Sequence, residues 1–321
     1  MNTPSFWYQS GPPPWGLQAL AWIYGRARAA HVAMTQPKSV PIPIICIGNI
    51  TLGGAGKTPV VQALRTLLGD FGPYVLLRGF GGKIAGPYLV KPDDSPAAVG
   101  DEALLHRRQG PTVIARNRYQ GAAFIHAQKG RLILMDDGLQ NRNLAATVYI
   151  AVIDGAVGLG NGALLPAGPL REPLAKVIHR LQACIILGPD QHQLAPQLAP
   201  HMPVFTARIV AQPTRIDRTK RYLAFAGIGR PEKFFKTLLA EQIPVVETRT
   251  FPDHYPYTKL DVTALVMAAA ARGADLLTTE KDAIKIAALT HVPIATLPIQ
   301  VEFDDPTRIR EFLKPFITGE N

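Results

Sequence analysis

The sequence predicts an α/β protein: a doubly wound, largely parallel sheet with helices on both faces, followed by a second and smaller α/β domain. Three observations support this prediction: short, almost continuously apolar runs at regular spacing, helix-compatible stretches between several of them, and a second series of the same kind later in the chain. Strands that are apolar throughout are typical of a parallel sheet buried on both faces. In such a sheet, ligands bind at the carboxyl ends of the strands.

The first series of elements predicts one large domain. Helices are expected at 58–68 and 101–109. Both lie between apolar runs, where the crossover helices of a parallel sheet belong. The strands of this domain are expected at 42–48, 74–78, 112–115, 131–136, 147–154 and 183–188.

The second series begins after a change of pattern. Two extended segments, near 204–211 and 221–226, flank a polar and basic connection, so we place the domain boundary around 206–222. Helices and strands then alternate again, which predicts a second α/β unit. Its helices are expected from Pro231 and at 259–272, and its strands near 244–247, 275–278 and 295–301.

The N-terminal segment, residues 1–34, has an unusual composition. Prolines at 12–14 precede a helix-compatible stretch from Trp15 to Met34. Aromatic and aliphatic residues gather on one side and basic residues near the C-terminal end, as in helices that lie at a membrane interface. A helix packed on the domain core explains the same composition equally well. The apolar side comprises Trp15, Ala19, Trp22 and Ile23, widened by Leu20, Tyr24, Ala27 and Met34.

The charge balance limits the partners of this chain. It has 321 residues, 34 of them basic and 24 acidic, for a net charge of +10. A basic surface suits polyanions, which include nucleic acid, anionic lipid headgroups and phosphorylated small molecules. The basic residues are scattered, without a basic arm, zinc-finger spacing or an aromatic RNA-binding signature, which argues against nucleic acid.

No targeting or membrane-spanning segment is evident in the sequence. No run of 18 uninterrupted apolar residues occurs, so no transmembrane helix is expected. A secretory signal is not expected either, because no basic region precedes an apolar core and a cleavage site. Cys46 and Cys184 each fall inside a predicted strand and outside any C-x-x-C pair, which favours buried thiols in a reducing compartment. The protein is therefore expected in the cytosol or on a membrane face.

The stretch "CIGNITLGGAGKTPVV" at 46–61 predicts a phosphate-binding loop. An apolar strand leads through a glycine-rich turn into a helix that starts with lysine and threonine. Backbone N–H groups of such a loop cradle phosphate oxygens, the lysine reaches the outer phosphates, and the hydroxyl ligates Mg²⁺. Threonine replaces the first glycine of the consensus, which removes no donor or ligand. The expected loop residues are Thr51, Leu52, Gly53, Gly54, Ala55, Gly56, Lys57 and Thr58.

Carboxylates for a nucleotide-bound metal follow a later strand. The stretch "RLILMDDGLQ" places Asp136 and Asp137 at the end of an apolar run, where a Walker-B aspartate lies. Two adjacent acids are more than one magnesium ion requires, so one of them could instead cap the following turn. We expect Thr58 and Asp136 to be the metal ligands.

Three further polar pairs lie at expected loops or helix starts. The first begins a helix, where capping alone would explain it. The second stands between prolines, in a rigid loop with few structural reasons to hold an ion pair. The third lies in a proline- and tyrosine-rich loop of the second domain, where a catalytic and a structural role explain it equally well. These pairs are Asp101 with Glu102, Arg171 with Glu172, and Asp253 with His254.

Taken together, these stretches closely resemble the tetraacyldisaccharide 4′-kinases, the lipid A 4′-kinases of Gram-negative bacteria. The resemblance runs from residue 48 to 285 in family order, and the family itself carries serine or threonine at the position of Thr51. Two departures are visible: Asn141 where histidine is common after DDG-x-Q, and Phe80 where RGYG is usual. The matching stretches are "GNITLGGAGKTP", "RGFGG", "GDEA", "DDGLQ", "LPAGPLREP", "FAGIGRPEKFF", "FPDHYPYT" and "TTEKDAIK".

The resemblance implies two α/β/α domains, the first of the phosphate-loop NTPase type, joined by a two-stranded hinge. The ranges would be 35–205 and 223–321, with the hinge at 206–222 and a membrane-touching helix within 1–34. It implies ATP and Mg²⁺ as co-reactants and, as acceptor, the 4′-hydroxyl of a tetraacylated glucosamine disaccharide 1-phosphate. The expected location is the cytoplasmic face of the bacterial inner membrane, where the protein would be peripheral and monomeric.

The resemblance also implies roles for single residues. Asp101 is similar to the catalytic base of the family, and His254 is similar to the histidine that partners this base. Asp136 and Asp137 match the acidic pair near the metal and the phosphates. The positions of Glu102, Gln140 and Glu172 match further active-site residues, and Arg171 is expected near the substrate phosphate.

One other class of protein combines a phosphate loop with an amphipathic membrane helix: the ATP-dependent membrane switches of the partitioning type. Their loop carries a lysine before the paired glycines, whereas this chain has Leu52 there and one residue fewer before Gly56. A GTPase is also disfavoured, because Lys281 and Asp282 are adjacent and do not form the N-K-x-D spacing that recognises guanine. The sequence therefore favours the kinase.

Overall fold

The computed structural model describes residues 4–9, 11–212 and 216–319, so residues 213–215 of the predicted hinge and the ends of the predicted terminal units lie outside the described residues. Strands and helices alternate along most of the chain. The strands are β1 Ile44–Gly48, β2 Tyr74–Leu77, β3 Tyr88–Leu89, β4 Thr112–Ile114, β5 Ile133–Asp136, β6 Val148–Asp154, β7 Ala183–Leu187, β8 Val204–Ala211, β9 Tyr222–Ala226, β10 Val245–Thr250, β11 Asp275–Thr279, β12 Ala295–Leu297 and β13 Ile299–Phe303. The α-helices are α1 Trp15–Met34, α2 Lys57–Leu67, α3 Pro96–Val99, α4 Asp101–Arg107, α5 Arg118–Ala127, α6 Leu174–Ile178, α7 Leu194–Leu198, α8 Pro231–Ala240, α9 Lys259–Ala270, α10 Glu280–Ile286 and α11 Pro306–Thr318.

The larger sheet has nine strands in the order β13-β8-β7-β6-β1-β5-β2-β4-β3. Neighbouring strands run parallel except at the two edges, where β13 pairs antiparallel with β8 and β3 with β4. Strand β1 lies between β5 and β6, and Ile47 of β1 pairs with Asp136 and with Ile150. The carboxyl ends of these three strands therefore meet at one edge of the sheet.

Helices cover both faces of the larger sheet, because both sets of alternating side chains on its strands are apolar. Leu64 of α2 and Ile309 of α11 pack on one face. Ile125 of α5 and Val177 of α6 pack on the other. This arrangement is the α/β/α sandwich of the predicted fold class.

The smaller sheet has four parallel strands in the order β10-β9-β11-β12. Phe234 and Leu238 of α8 pack on one face. Val262 and Leu265 of α9 pack on the other. The second predicted α/β series is therefore also a three-layered sandwich.

The segment expected as one strand near 295–301 is two strands that belong to different sheets. Strand β12 ends at Leu297 in the smaller sheet, and β13 begins at Ile299 in the larger one. Between them stands Pro298, which cannot donate a backbone hydrogen bond to a sheet. Its carbonyl oxygen instead accepts from the N–H of Gln212 at 2.8 Å. The chain thus crosses between the sheets twice, and β13 and α11 join the larger sheet although they fall in the range 223–321 expected for the smaller domain.

Helix α1 spans the predicted range, Trp15 to Met34. Ala21 is buried beneath it, and the hydroxyl of Tyr24 donates to the carbonyl oxygen of Arg171 at 3.0 Å. Among the described residues, no helix is long and apolar enough to cross a membrane. The side of α1 that faces away from the protein exposes large apolar side chains, among them Trp15, Leu20, Trp22, Ile23 and Met34.

Candidate active site

The predicted phosphate loop connects β1 to α2, and α2 begins at Lys57. Gly56 caps this helix in the left-handed region, with φ of 77°. A Cβ atom there would also collide with the side chain of Leu187, so the position requires glycine. The helix N-terminus behind the loop provides N–H groups and a positive dipole end for phosphate.

The loop is held in place by its neighbours. Thr51 forms a short antiparallel bridge to Leu170, and the N–H of Leu52 donates to the carbonyl oxygen of Pro169 at 2.7 Å. Such an extended bridge does not need glycine, which explains why threonine is accepted here. The sequence analysis missed Asn49, which is fully buried and donates from Nδ2 to the carbonyl oxygen of Gly53 at 3.2 Å.

Asp136 ends β5 beside the start of α2. Its Oδ2 lies 3.4 Å from the hydroxyl of Thr58, and its Oδ1 is buried without a hydrogen-bond partner among the described residues. The described part of the chain contains no group of three or more His, Cys, Asp or Glu that could hold a metal. One carboxylate and one hydroxyl suit Mg²⁺, which binds through few protein ligands together with substrate phosphates. The residues present therefore fit the implied ion.

Asp137 faces Lys57 of the phosphate loop and Arg171. Its backbone is left-handed, with φ of 53°. Its carboxylate lies 3.1 Å from Nη1 of Arg171 and 3.5 Å from Nζ of Lys57. Partial burial favours the neutral acid, but the charges of Lys57 and Arg171 outweigh it and hold the pKa of Asp137 below its ordinary value. Arg171 also donates to Oε1 of Gln140 at 2.9 Å, so these predicted residues form one network.

Glu172 follows Arg171 in the chain but faces a different set of partners. Its buried carboxylate pairs with Arg28 at 2.9 Å, Arg142 at 2.6 Å and Arg180 at 3.3 Å. Burial raises the pKa of Glu172, but the three arginines outweigh this effect and lower it overall. The sequence analysis found few structural reasons for an ion pair here. The structure provides one, because the pair with Arg28 fastens α1 to the larger sheet.

Asp101 begins α4 and is buried at the side of the larger domain that meets the smaller sheet. Its Oδ1 accepts from the N–H of Glu102 at 2.9 Å, and its Oδ2 lies 3.3 Å from Nδ1 of His254. Lys281 and Lys285 of α10 lie 3.9 and 3.8 Å from the same oxygen. Burial favours the neutral acid, but contact with His254 and the charges of both lysines hold the pKa of Asp101 below its ordinary value. The predicted pair is thus brought together, with Asp101 from the larger unit and His254 from the smaller one.

His254 adopts a left-handed backbone conformation, with φ of 56°. Its N–H donates to Oδ1 of Asp253 at 3.0 Å, so the neighbouring acid fixes the turn that presents the imidazole. The ring of Phe80 meets the imidazole edge-on, with the ring centroids 5.0 Å apart. Phe80, one of the two departures from the family pattern, therefore touches the predicted partner of the base. At the other departure, Oδ1 of Asn141 caps its own turn by accepting from the N–H groups of Asn143 and Leu144.

Lys281 is a site residue that the sequence analysis missed. Its Nζ lies 3.3 Å from Nε2 of His254, 3.3 Å from Oε1 of Glu102 and 3.7 Å from Oδ1 of Asp253. Burial lowers the pKa of Lys281, but the charges of Glu102, Asp101 and Asp253 outweigh this effect and raise it overall. One signal was present in the sequence: lysines at 281 and 285 are four residues apart and so share one face of a helix.

A second contact joins the two sheets next to the phosphate loop. The carboxylate of Asp154, at the end of β6, lies 2.7 Å from Nη1 of Arg230 and also pairs with Lys233 of α8. A Cβ atom at Gly229 would lie 3.4 Å from the backbone nitrogen of Gly54. The loop after β9 therefore packs directly against the phosphate loop.

Phosphoryl transfer needs a phosphate cradle, an acid that can bind a metal ion and a group that can accept a proton from the acceptor. The larger sheet supplies all three along the edge where it meets the smaller sheet. Fold and site together define a class, the phosphate-loop proteins that transfer phosphate.

Comparison with known proteins identifies the family within that class. The profile described as LpxK, tetraacyldisaccharide-1-P 4′-kinase, matches residues 14–318. The chain belongs to the tetraacyldisaccharide 4′-kinase family. As a member, it is a kinase that transfers phosphate to a hydroxyl group.

Similar proteins agree with this assignment over the full length of the chain. The tetraacyldisaccharide 4′-kinase of Methylorubrum extorquens is 44% identical over 322 residues, which cover 98% of both chains. That of Rhodospirillum centenum is 39% identical over 335 residues, covering 100% of this chain and 98% of the relative. A solved structure, the "apo" form of LpxK from Aquifex aeolicus in complex with ATP, is 26% identical with a TM-score of 0.74, and covers 93% of this chain and 98% of its own. None of these matches supports a partitioning-type switch.

Proposed function

We propose that the protein transfers the γ-phosphate of ATP to the 4′-hydroxyl of a tetraacylated glucosamine disaccharide 1-phosphate. The observation that carries this proposal is the buried carboxylate of Asp101, which is kept ionised by His254, Lys281 and Lys285 on the same side of the molecule as the phosphate loop. An ionised and partly desolvated carboxylate can accept the proton that the sugar hydroxyl loses. Family membership names the substrate class.

The proposed mechanism rests on positioning and charge neutralisation. Lys57 and the loop N–H groups would bind the phosphates. Thr58 and Asp136 would hold Mg²⁺, which would supply neutralisation of phosphate charge. Oδ2 of Asp101 accepts the hydroxyl proton, and Nδ1 of His254, 3.3 Å away, orients this oxygen. Arg171, which pairs with Asp137 and Gln140 in this structure, would bind a substrate phosphate.

The division into units completes the proposal. We propose two domains, expected at 35–205 and 223–321 with a hinge at 206–222. Because β13 and α11 pack on the larger sheet, we add that residues 299–318 belong to the larger domain and that the chain crosses between the domains after β8 and again at Pro298. Asp101 begins α4 of the larger unit and His254 lies in a loop of the smaller unit, so closing the domains would assemble the base and its partner around the substrate. Closure would also exclude water and so limit wasteful hydrolysis of ATP.

The proposed location of the protein is the cytoplasmic face of the inner membrane, where it would be peripheral and monomeric. The exposed apolar side of α1 supports this proposal, because Trp15 is 87% and Trp22 is 66% exposed. Tryptophan prefers the headgroup level of a bilayer. Arg26 lies 5.7 Å from the ring of Trp22 and would meet anionic headgroups beside it.

Transfer of labelled γ-phosphate from Mg-ATP to tetraacyldisaccharide 1-phosphate in detergent micelles tests the proposal. We expect labelled product from the wild-type protein and none from Lys57→Ala. Nucleotide binding without any product, in a protein that is folded, would contradict the proposed acceptor. In that case, the glucosamine disaccharide without acyl chains would be the next acceptor to assay.

A further inference from the structure

His106 is a buried histidine that neither the motifs nor the family resemblance assigned to the site. It lies on α4, five residues after Asp101, and is fully buried. Its Nε2 lies 2.9 Å from Oδ2 of Asp136. This contact is the shortest hydrogen bond that Asp136 makes, since Thr58 lies 3.4 Å from the same oxygen.

Three elements of the site converge on His106. Its side chain contacts Asp136 at the end of β5, and its carbonyl oxygen accepts from Nη1 of Arg65 at 3.0 Å. Arg65 belongs to α2, the helix that begins with Lys57 at the phosphate loop. His106 therefore joins its own helix α4 to α2, which follows the phosphate loop, and to β5, which ends in Asp136.

The hydrogen-bond pattern fixes the direction of the contact. An ionised carboxylate can only accept, so Nε2 of His106 carries the proton and donates it to Asp136. Nδ1 of His106 has no hydrogen-bond partner among the described residues.

We propose that His106 is a positioning residue that holds Oδ2 of Asp136 so that Oδ1 is presented to Mg²⁺. The inference rests on the proposed metal role of Asp136. It is supported by the buried and unpartnered state of Oδ1, which leaves that oxygen available as a ligand. Hydrogen bonds from outside the ligand set commonly orient metal-binding side chains in this way. Magnesium itself prefers oxygen ligands, so His106 is a partner of the ligand and not a ligand.

The same residue fixes the distance between two chemical groups. Asp101 and His106 lie on one seven-residue helix, so anchoring His106 to Asp136 also anchors the proposed base relative to the metal carboxylate. Loosening the anchor should therefore affect metal use more than nucleotide binding.

Three variants test the proposal. His106→Leu removes the donor, and His106→Gln retains an N–H group at a similar distance from the backbone. Thr112→Val is the matched control, because it removes a different buried hydrogen bond, 3.1 Å from Thr112 to the carbonyl oxygen of Gly110, at the opposite end of the sheet. Affinity for a fluorescent ATP analogue is measured as a function of Mg²⁺ concentration, alongside kinase activity and thermal unfolding.

The expected result is a rise of about tenfold or more in the Mg²⁺ concentration needed for tight nucleotide binding in His106→Leu, the size seen for similar ligand partners. Affinity without Mg²⁺ should be unchanged, His106→Gln should recover most of the loss, and Thr112→Val should show no shift. A folded His106→Leu protein with unaltered Mg²⁺ dependence would overturn the proposal.

Two further variants keep the test decisive. If His106→Leu does not fold, His106→Asn replaces it, because its amide nitrogen reaches only the position of Nδ1. Equal Mg²⁺ dependence in the Asn and Gln variants would overturn the proposal. Asp136→Asn separates the two levels of inference: if it leaves the Mg²⁺ dependence unchanged, the proposed metal role itself is wrong. If it shifts that dependence while the His106 variants do not, only the positioning role is wrong.

Discussion

Asp101 draws its histidine and lysine partners from the smaller unit. His254 precedes α9 in a loop, and Lys281 and Lys285 lie on α10. These groups offset the cost of burying a carboxylate and keep it charged. Contact between the two units therefore stabilises the ionised form of Asp101.

Replacing Asp101 by asparagine should abolish most of the activity without disturbing the nucleotide. We expect turnover to fall by roughly 10²–10⁴-fold, the usual contribution of a general base. Affinity for ATP should stay near that of the wild-type protein, because the phosphate loop is untouched. Steady-state kinetics and equilibrium nucleotide binding measure the two effects. The exposed Asp93→Asn variant is the control, and a fully active Asp101→Asn protein would contradict the role of base.

Removing the charge of Lys281 should change the pH dependence of activity. The lysine lowers the pKa of Asp101, so Lys281→Met should raise this pKa. Asp101 must be ionised to accept a proton, and the acid limb of the kcat/KM profile should therefore move to higher pH. Lys281→Arg keeps the charge and should keep the acid limb near that of the wild-type protein. An acid limb at the same pH in all three proteins would exclude electrostatic control by Lys281.

Residues that act within one motif were predictable from the sequence, and residues that act across the fold were not. Gly56, Lys57 and Thr58 follow one another at a strand end, so the local pattern alone indicated their positions. His106 and Lys281 reach the site only because distant segments pack together. No periodicity or spacing in the chain marks a histidine in the last turn of a short helix as a partner of an aspartate 30 residues away.

The proline-rich loop between β6 and α6 supports two elements at once. Its Pro169 and Leu170 hold the phosphate loop through backbone contacts, and its Glu172 holds α1 through Arg28. A single segment therefore connects the nucleotide site to the helix proposed to touch the membrane. The sequence analysis identified this loop as rigid but assigned its acidic residue to the site.

Glu172→Gln should loosen α1. Three arginines would lose their buried partner, and we expect the free energy of unfolding at pH 7 to fall by about 3 kcal/mol. Because the pKa of Glu172 is lowered by folding, its stabilising effect is present at neutral pH and is lost as the pH falls through the acidic range. The difference between the variant and the wild-type protein should therefore be constant near neutral pH and shrink only as the pH falls below about 4. Urea unfolding at several pH values measures it, and a difference independent of pH would contradict the ionic explanation.

Strands at the centre of the sheets were easier to predict than those at the edges. Runs such as "IICIG" and "VYIAVID" are apolar throughout, because they are buried on both faces. The two-residue β3 has no such run. The apolar stretch across Pro298 was predicted as one strand, since nothing local shows that its halves pair with different sheets.

The two sheets meet along one edge, and α1 lies on the larger unit with its apolar side exposed. Asp154 with Arg230 and Lys233 forms one contact between the units, and Asp101 with His254 and the lysines forms the other. Both contacts involve buried carboxylates of the larger sheet and cationic groups of the smaller. Charge complementarity of this kind fixes how the two surfaces align.

Replacing Trp15 and Trp22 together by glutamine should weaken membrane association. Burying such a side chain is worth about 1.5–3 kcal/mol, so liposome partitioning should fall by at least about tenfold. ATP affinity should be unchanged. The matched control is Leu239→Gln with Leu260→Gln, which alters equally exposed apolar residues on the smaller unit. Equal co-sedimentation of both double variants with liposomes would show that α1 has no special part in membrane binding.

The late return of β13 to the larger sheet has a consequence for biosynthesis. Residues 299–318 leave the ribosome after every strand of the smaller sheet, yet they complete the edge next to β8. Until then, β8 pairs only with β7 and its other edge is open, which is a hazard for aggregation. The smaller sheet needs nothing from those residues and can form first. The nucleotide-binding half is thus begun first and finished last, and we expect its nascent chains to be most prone to aggregation during that interval.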